Sequence, residues 1–202
     1  VEGKFRKYFI VDPIQGGAGT SLNMNANEVI ANRAIEHLGG EKGDYHLVNP
    51  NDHVNCGQST NDVIPTAGKL TSLKLLEKCE EQLRRLYSAL CDKAEEFDSV
   101  IKMGRTQMQD AVPIRLGQEF HAYSVAVSRD INRISKSKDE MRTLNMGGTA
   151  IGTGVNADQR YLQRIVPNLA EISGTSLVQA YDLIDSTQSL DPFVAVSGAL
   201  KA

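Results

Sequence analysis

From Pro65 to about Phe97 the apolar residues return every three or four positions: Ala67, Leu70, Leu73, Leu76, Cys79, Leu83, Leu86, Leu90, Ala94 and Phe97. That spacing predicts one apolar face on a continuous α-helix. No Gly or Pro interrupts it after Gly68. Pro65 suits the first turn, where a missing N–H costs nothing. A run of this length exceeds the ordinary globular helix, so it predicts a bundle with near-parallel packing.

The remaining segments agree with a helical protein. A helix is expected from about Leu22 to Leu38, with Met24, Ile30, Ala34 and Leu38 on its apolar face and Gly39-Gly40 as its stop. Residues 41–57 form a polar connector with a turn signal at Asn49-Pro50-Asn51-Asp52. Ser99 to Pro113 reads as a break. A third helix is expected to run from there to about Leu144, along Leu116, Phe120, Tyr123, Val127, Ile131, Ile134, Met141 and Leu144. Another spans about Tyr161 to Ser173, and a last helical stretch runs from about Ser189 to the end. No alternating strand of useful length and no internal repeat is visible, so the expected class is all-α. The opening stretch Val1 to Phe9, without an initiator Met, and the closing Gly198-Ala199-Leu200-Lys201-Ala202 both read as element interiors. They suggest a fragment of a longer protein.

Composition narrows the functions. The formal net charge of −3, with both signs interspersed, leaves no electrostatic footprint for nucleic acid or an acidic membrane surface. No stretch is apolar enough to span a bilayer. Cys56, Cys79 and Cys91 lack metal spacing and are expected to be free thiols in a reducing, cytoplasmic setting. His37, His46, His53 and His121 show no metal spacing either. The Glu80-Glu81 and Arg84-Arg85 run reads as a solvated helix face with i,i+4 pairs.

Just ahead of the long helix lies Gln58-Ser59-Thr60-Asn61-Asp62. These side chains cap helices well. They also leave backbone N–H groups and hydroxyls at a positive helix end, where a carboxylate or phosphate is held. Three other segments share this chemistry: Gly16 to Ser21, Gly104 to Asp110 and Gly147 to Asn156. All are rich in Gly, Ser, Thr, Asn and Gln and poor in charge, which suits a site for a small dianion. Neither standard nucleotide loop fits. Gly152-Thr153-Gly154 lacks the following Gly and a preceding strand, and Gly16 to Ser21 lacks the Lys of a P-loop.

In order along the chain, five blocks resemble the aspartase/fumarase superfamily: Gly16-Gly17-Ala18-Gly19-Thr20-Ser21, Asn23-Met24-Asn25-Ala26-Asn27-Glu28, Gln58 to Asp62, Gly104 to Ala111 and Gly147 to Gly154. Within it the chain resembles the aspartase branch more than the class II fumarases, the runner-up. Asn49 to Asn55 lead into Gln58 to Asp62. Ser59-Thr60 stand where fumarases usually have two serines, and Gln107 stands where they usually have His. A non-catalytic bundle is the rival of another class.

The resemblance implies an incomplete long-helix bundle. Residues 1–58 would be the end of an N-terminal helical domain and 59–202 the first part of the central bundle. It implies deamination of L-aspartate to fumarate and ammonia through an aci-carboxylate dianion. Thr20, Ser59 and Thr60 would donate to the carboxylate that gains charge. Asn61, Thr106 and Gln107 would contact the amino group and the other carboxylate. The family's Gly-Ser-Ser-x-Met-Pro-x-Lys-x-Asn loop, with its serine base, does not occur in these 202 residues. The base is therefore expected downstream of Ala202, and the fragment alone is expected to be inactive. A homotetramer is implied, with each active site built from three subunits. The stripes Leu70 to Phe97 and Leu116 to Leu144 would hold an oligomer. No cofactor is expected. Some aspartases respond to a divalent metal, but no ligand cluster here supports one.

Overall fold

A computed structural model describes residues 3–14 and 16–202. Val1 and Glu2, where the expected first element would begin, and Gln15 lie outside the described residues. In chain order the helices and strands are α1 (Thr20–His37), α2 (Thr60–Glu96), β1 (Ile101–Thr106), β2 (Gln109–Arg115), α3 (Leu116–Met141), β3 (Thr143–Leu144), α4 (Gln159–Ser173), β4 (Val178–Gln179), α5 (Leu183–Gln188) and α6 (Asp191–Lys201). A 3-10 turn occupies Arg6–Tyr8 and a π-helical turn Pro50–Val54. The fold is all-α in class. The chain divides into two compact units, 1–69 with 142–190, and 70–141 with 191–202.

In the first unit α1 buries Asn23, Asn27, Ala31 and Ile35, four residues apart on one stripe. The expected face was different: Ile30 is 54% and Leu38 67% exposed. Counting apolar residues missed the true face because its first two turns are asparagines. They can be buried because their amides are bonded: Asn23 and Asn27 both donate to Asn55 Oδ1. Asn25 holds the preceding segment, accepting from the Ile10 N–H at 2.9 Å and donating to the Tyr8 carbonyl at 3.0 Å. Leu144, Met146, Val166 and Leu177 complete this core. The strands β3 and β4 pair in parallel. Asp158 caps α4 by accepting the Arg160 N–H, and Gly174 ends it in the left-handed conformation. The short helix α5 was not anticipated. Asp182 starts it by accepting from the Ile184 and Asp185 N–H groups at 2.8 and 3.0 Å.

The long helix begins at Thr60, not Pro65. Pro65 therefore sits inside it, and its missing N–H leaves the Asn61 carbonyl to an outside donor. The buried residues of α2 are Asp62, Thr66, Lys69, Leu73, Leu76 and Glu80, a three-four stripe that is polar at both ends.

The second unit packs α3 against α6, with Leu73, Leu76, Ile134, Met141 and Val196 in its core. The helix α3 ends at Met141, short of Leu144. Glu80 is not on a solvated face. It is 4% exposed and paired with Lys138 at 2.9 Å, with Arg84 at 3.3 Å. Gly117 starts α3 against the end of α2. A Cβ there would stand 2.3 Å from the Ala94 carbonyl oxygen.

Between α2 and α3 the expected break is an antiparallel hairpin of β1 and β2, with a bulge at Gly104/Arg105. Its two-residue turn is Gln107-Met108, with φ of 52° and 61°. Both angles are positive, as in the hairpin turns usually written Asn-Gly. No such signal is present. The strands are largely exposed and carry Gly104 and Pro113, so no apolar alternation marks them.

Candidate functional site

Two helices of the first unit begin side by side. Gly19 precedes α1 with φ of +88°, and a Cβ on it would stand 2.9 Å from the Ile64 side chain. Only glycine tolerates both the angle and the approach. Thr20 thus opens α1 beside the first turns of α2. Its hydroxyl donates to the Gly17 carbonyl at 2.9 Å. One turn later Asn23 Nδ2 reaches Thr60 Oγ1 at 3.2 Å and Asn55 Oδ1 at 3.2 Å. Asn27 Nδ2 donates to the same Asn55 oxygen at 3.0 Å.

Ser59 is the cap of α2. Its Oγ accepts the Asn61 N–H at 3.2 Å, and its own N–H donates to Asp62 Oδ1 at 3.0 Å. This is a reciprocal capping box with Asp in place of the usual Glu. The other carboxylate oxygen of Asp62 accepts the N–H groups of Thr149 at 3.0 Å and Gly147 at 3.3 Å. Asn61 Nδ2 donates to the Ala150 carbonyl at 2.7 Å. The Gly-rich segment is therefore bound to the start of α2 at several points. Asp62 is wholly buried. Burial pushes its carboxyl above the ordinary range, against the opposing pull of the Ser59, Thr149 and Gly147 N–H groups.

These bonds decide what the cluster offers a ligand. Ser59 and Thr60 use their hydroxyl oxygens as acceptors, so each keeps its hydrogen to donate. The α2 dipole adds positive potential there. Asn61 commits its NH₂ to Ala150 and keeps Oδ1 as an acceptor. Two donors suit a carboxylate, and one acceptor suits an ammonium group.

Thr20, Ser59, Thr60 and Asn61 are thus gathered at two adjoining helix starts. Thr106 and Gln107 lie in the second unit, at the hairpin tip, both exposed. The sequence reading missed the supporting asparagines Asn23, Asn27, Asn55 and Asn145. It quoted the first three only as parts of blocks, and nothing local marked their burial or bonding. The Ser59-x-x-Asp62 spacing was the one available signal for the capping box. Among the described residues no group of three or more His, Cys, Asp or Glu is placed to hold a metal ion. Nor is any helix long and apolar enough to cross a membrane.

An all-α fold that presents hydroxyl and amide groups at paired helix starts defines a helical protein equipped for a small charged ligand. A family model described as "Lyase" matches residues 1–202. The chain belongs to this lyase family, the aspartase/fumarase superfamily. It is 59% identical over 201 residues to the aspartate ammonia-lyase of Bacillus subtilis (strain 168), covering 100% of this chain and 42% of that protein. The aspartate ammonia-lyase of Escherichia coli (strain K12) is 46% identical over 199 residues, covering 98% and 42%. Among solved structures, a fumarate lyase:delta crystallin from Brucella melitensis bound to cobalt superposes with a TM-score of 0.94 at 49% identity, covering 98% of this chain and 43% of that one. A recombinant class II fumarase from Schistosoma mansoni gives 0.79 at 33% identity, covering 90% and 41%. The chain spans less than half the length of the curated relatives it matches.

Proposed function

We propose that the whole protein is an aspartate ammonia-lyase that interconverts L-aspartate with fumarate and ammonia. The carrying observation is the pairing of two hydroxyl donors, Ser59 and Thr60, with one acceptor, Asn61 Oδ1, at the start of α2. An amino dicarboxylate needs both kinds of group. The curated relatives cited above carry the same enzyme name, and the fumarase neighbour is less similar.

In this reading Ser59 and Thr60 donate to the carboxylate next to the carbon that loses its proton, and Thr20 joins them by turning its hydroxyl away from the Gly17 carbonyl. Charge grows on that carboxylate as the aci-carboxylate forms, so the donors hold the transition state more tightly than the substrate. Asn61 Oδ1 accepts from the amino group. Thr106 and Gln107 are assigned to the amino group and the other carboxylate within a site that the family resemblance builds from three subunits. A serine of the family's Gly-Ser-Ser loop, which these 202 residues do not contain, takes the proton. The residues of this chain bind and orient; they do not supply the base. The chemistry calls for no redox or organic cofactor.

We further place the protein in the cytoplasm, on its free thiols Cys56, Cys79 and Cys91. A homotetramer is proposed, supported by exposed Leu75, Leu86 and Tyr87 on α2 and Tyr123 and Val125 on α3. Full-length protein incubated with L-aspartate should raise the fumarate absorbance. Turnover of malate but not aspartate would assign it to the fumarases instead. The 202 residues alone should turn over neither.

A further inference from the structure

The reaction as proposed uses Ser59, Thr60 and Asn61 but gives no task to Asp62, the one wholly buried carboxylate beside them. No cation faces it. Its partners are three backbone N–H groups, of Ser59 on one oxygen and of Gly147 and Thr149 on the other. The loop that supplies two of them has its own frame. The Gly148 carbonyl accepts the N–H groups of Gly152 at 2.9 Å and Gly154 at 3.1 Å, and the Gly148 N–H donates to the Asn145 carbonyl at 3.0 Å. Thr149 holds a φ of 57° within it. A β-carbon on Gly148 would stand 3.0 Å from the Asn145 oxygen and 3.1 Å from Gly152 Cα, so the loop is closely packed.

We propose that Asp62 is a positioning residue that locks the start of α2 to the Gly147–Ala150 loop and thereby aims the Ser59, Thr60 and Asn61 groups. This rests on the reading of those three as dicarboxylate contacts. The carboxylate sets the Ser59 backbone through one oxygen and the loop through the other. The loop in turn, through the Ala150 carbonyl, sets which way the Asn61 amide faces. A charged carboxylate suits this position because both its oxygens only accept. An asparagine would point its NH₂ at N–H groups on one side or the other. Misaimed donors lose most where charge develops, so the defect belongs in kcat more than in KM.

The test uses full-length protein and Asp62→Asn, compared by sedimentation, by kcat and KM for L-aspartate, and by calorimetric titration with succinate. The expected result is an unchanged assembly with kcat lower by about 100-fold, while KM rises and succinate affinity falls only about threefold. An assembled variant with kcat within about threefold of the parent, or with its whole loss in KM, overturns the proposal. If Asp62→Asn does not assemble, the peptide N–H of Thr149 is removed alone, by incorporating the α-hydroxy acid of threonine. Its kcat should fall about tenfold, since one of the three donors is gone; an unchanged kcat overturns the proposal. If the parent releases no fumarate from aspartate, the functional reading fails by itself. Asp62 is then judged on succinate affinity: a loss of about threefold supports it and equal affinity overturns it. A parent that binds no succinate overturns both.

Discussion

Asn145 donates its side-chain amide to the Asn61 carbonyl at 2.9 Å, the acceptor that Pro65 leaves unclaimed inside α2. The same amide reaches Thr187 Oγ1 at 3.2 Å. A helix flaw at the edge of the candidate site is thus mended from a distant part of the sequence. Asn145→Ala should cost about 2 kcal/mol in urea unfolding, because the carbonyl loses its donor. Adding Pro65→Ala restores a local N–H, so the double variant should recover about 1 kcal/mol of that loss.

Ser59 serves two ends that substitutions can separate. Ser59→Ala should lower stability by about 1 kcal/mol through the lost cap. On the proposed reading it should also lower kcat/KM of the full-length protein for L-aspartate by about 100-fold through the lost donor. Ser59→Asp should restore the melting temperature, since Asp caps well, and leave activity low because it sets a negative charge against the substrate carboxylate.

The α2–α3 corner depends on the absence of one carbon. Gly117→Ala drives a Cβ to 2.3 Å from the Ala94 oxygen and 2.8 Å from Asp98 Cα. Backbone cannot yield as a side-chain tip can, and the loss should be about 3 kcal/mol in chemical denaturation. Gly198→Ala is the control. It lies within α6 with nothing within 4 Å of the added carbon. It should raise stability by about 0.5–1 kcal/mol.

Lys138→Met strands Glu80. The carboxylate is 4% exposed and, among the described residues, keeps Arg84 at 3.3 Å. Breaking a buried pair from one side should cost about 3 kcal/mol at neutral pH.

Tyr161 gives a pH signature at the alkaline end. Its hydroxyl is buried with no partner among the described residues. Burial first, then the charges of Asp62 and Cys56, push it from 10.0 to about 12. Between those values the folded state keeps a proton that the unfolded chain has lost. Stability therefore falls as pH rises through this window. Tyr161→Phe should be neutral or stabilising by about 1 kcal/mol at pH 7, since it removes an unpaired polar atom. It should also flatten the alkaline decline seen in unfolding at about pH 9 and pH 11.

The long helices were legible because Leu73, Leu76, Ile134 and Met141 repeat at helical spacing, and α2 is long enough for that signal to dominate. The capping box was legible in kind, since Ser59 and Asp62 are three apart. The hairpin was not, because Gln107 and Met108 adopt positive φ without the residues that favour it. Pro65 misled for a related reason: a proline usually marks a first turn, and here the compensation lies eighty residues away at Asn145. The asparagine face of α1 was hidden because burial of an amide depends on partners, and its partners Asn55 and Thr60 sit on other elements.

Asn55 Oδ1 receives two amides at once, from Asn23 at 3.2 Å and Asn27 at 3.0 Å, one helical turn apart. Apolar contacts are indifferent to direction, and a leucine seam can slide by a turn and repack. A single oxygen facing two donors cannot. If α1 slipped along its axis, at least one buried NH₂ would be left with nothing to bind. The shared oxygen works as a detent: it admits one register of α1, and with it one placement of Thr20 relative to Thr60.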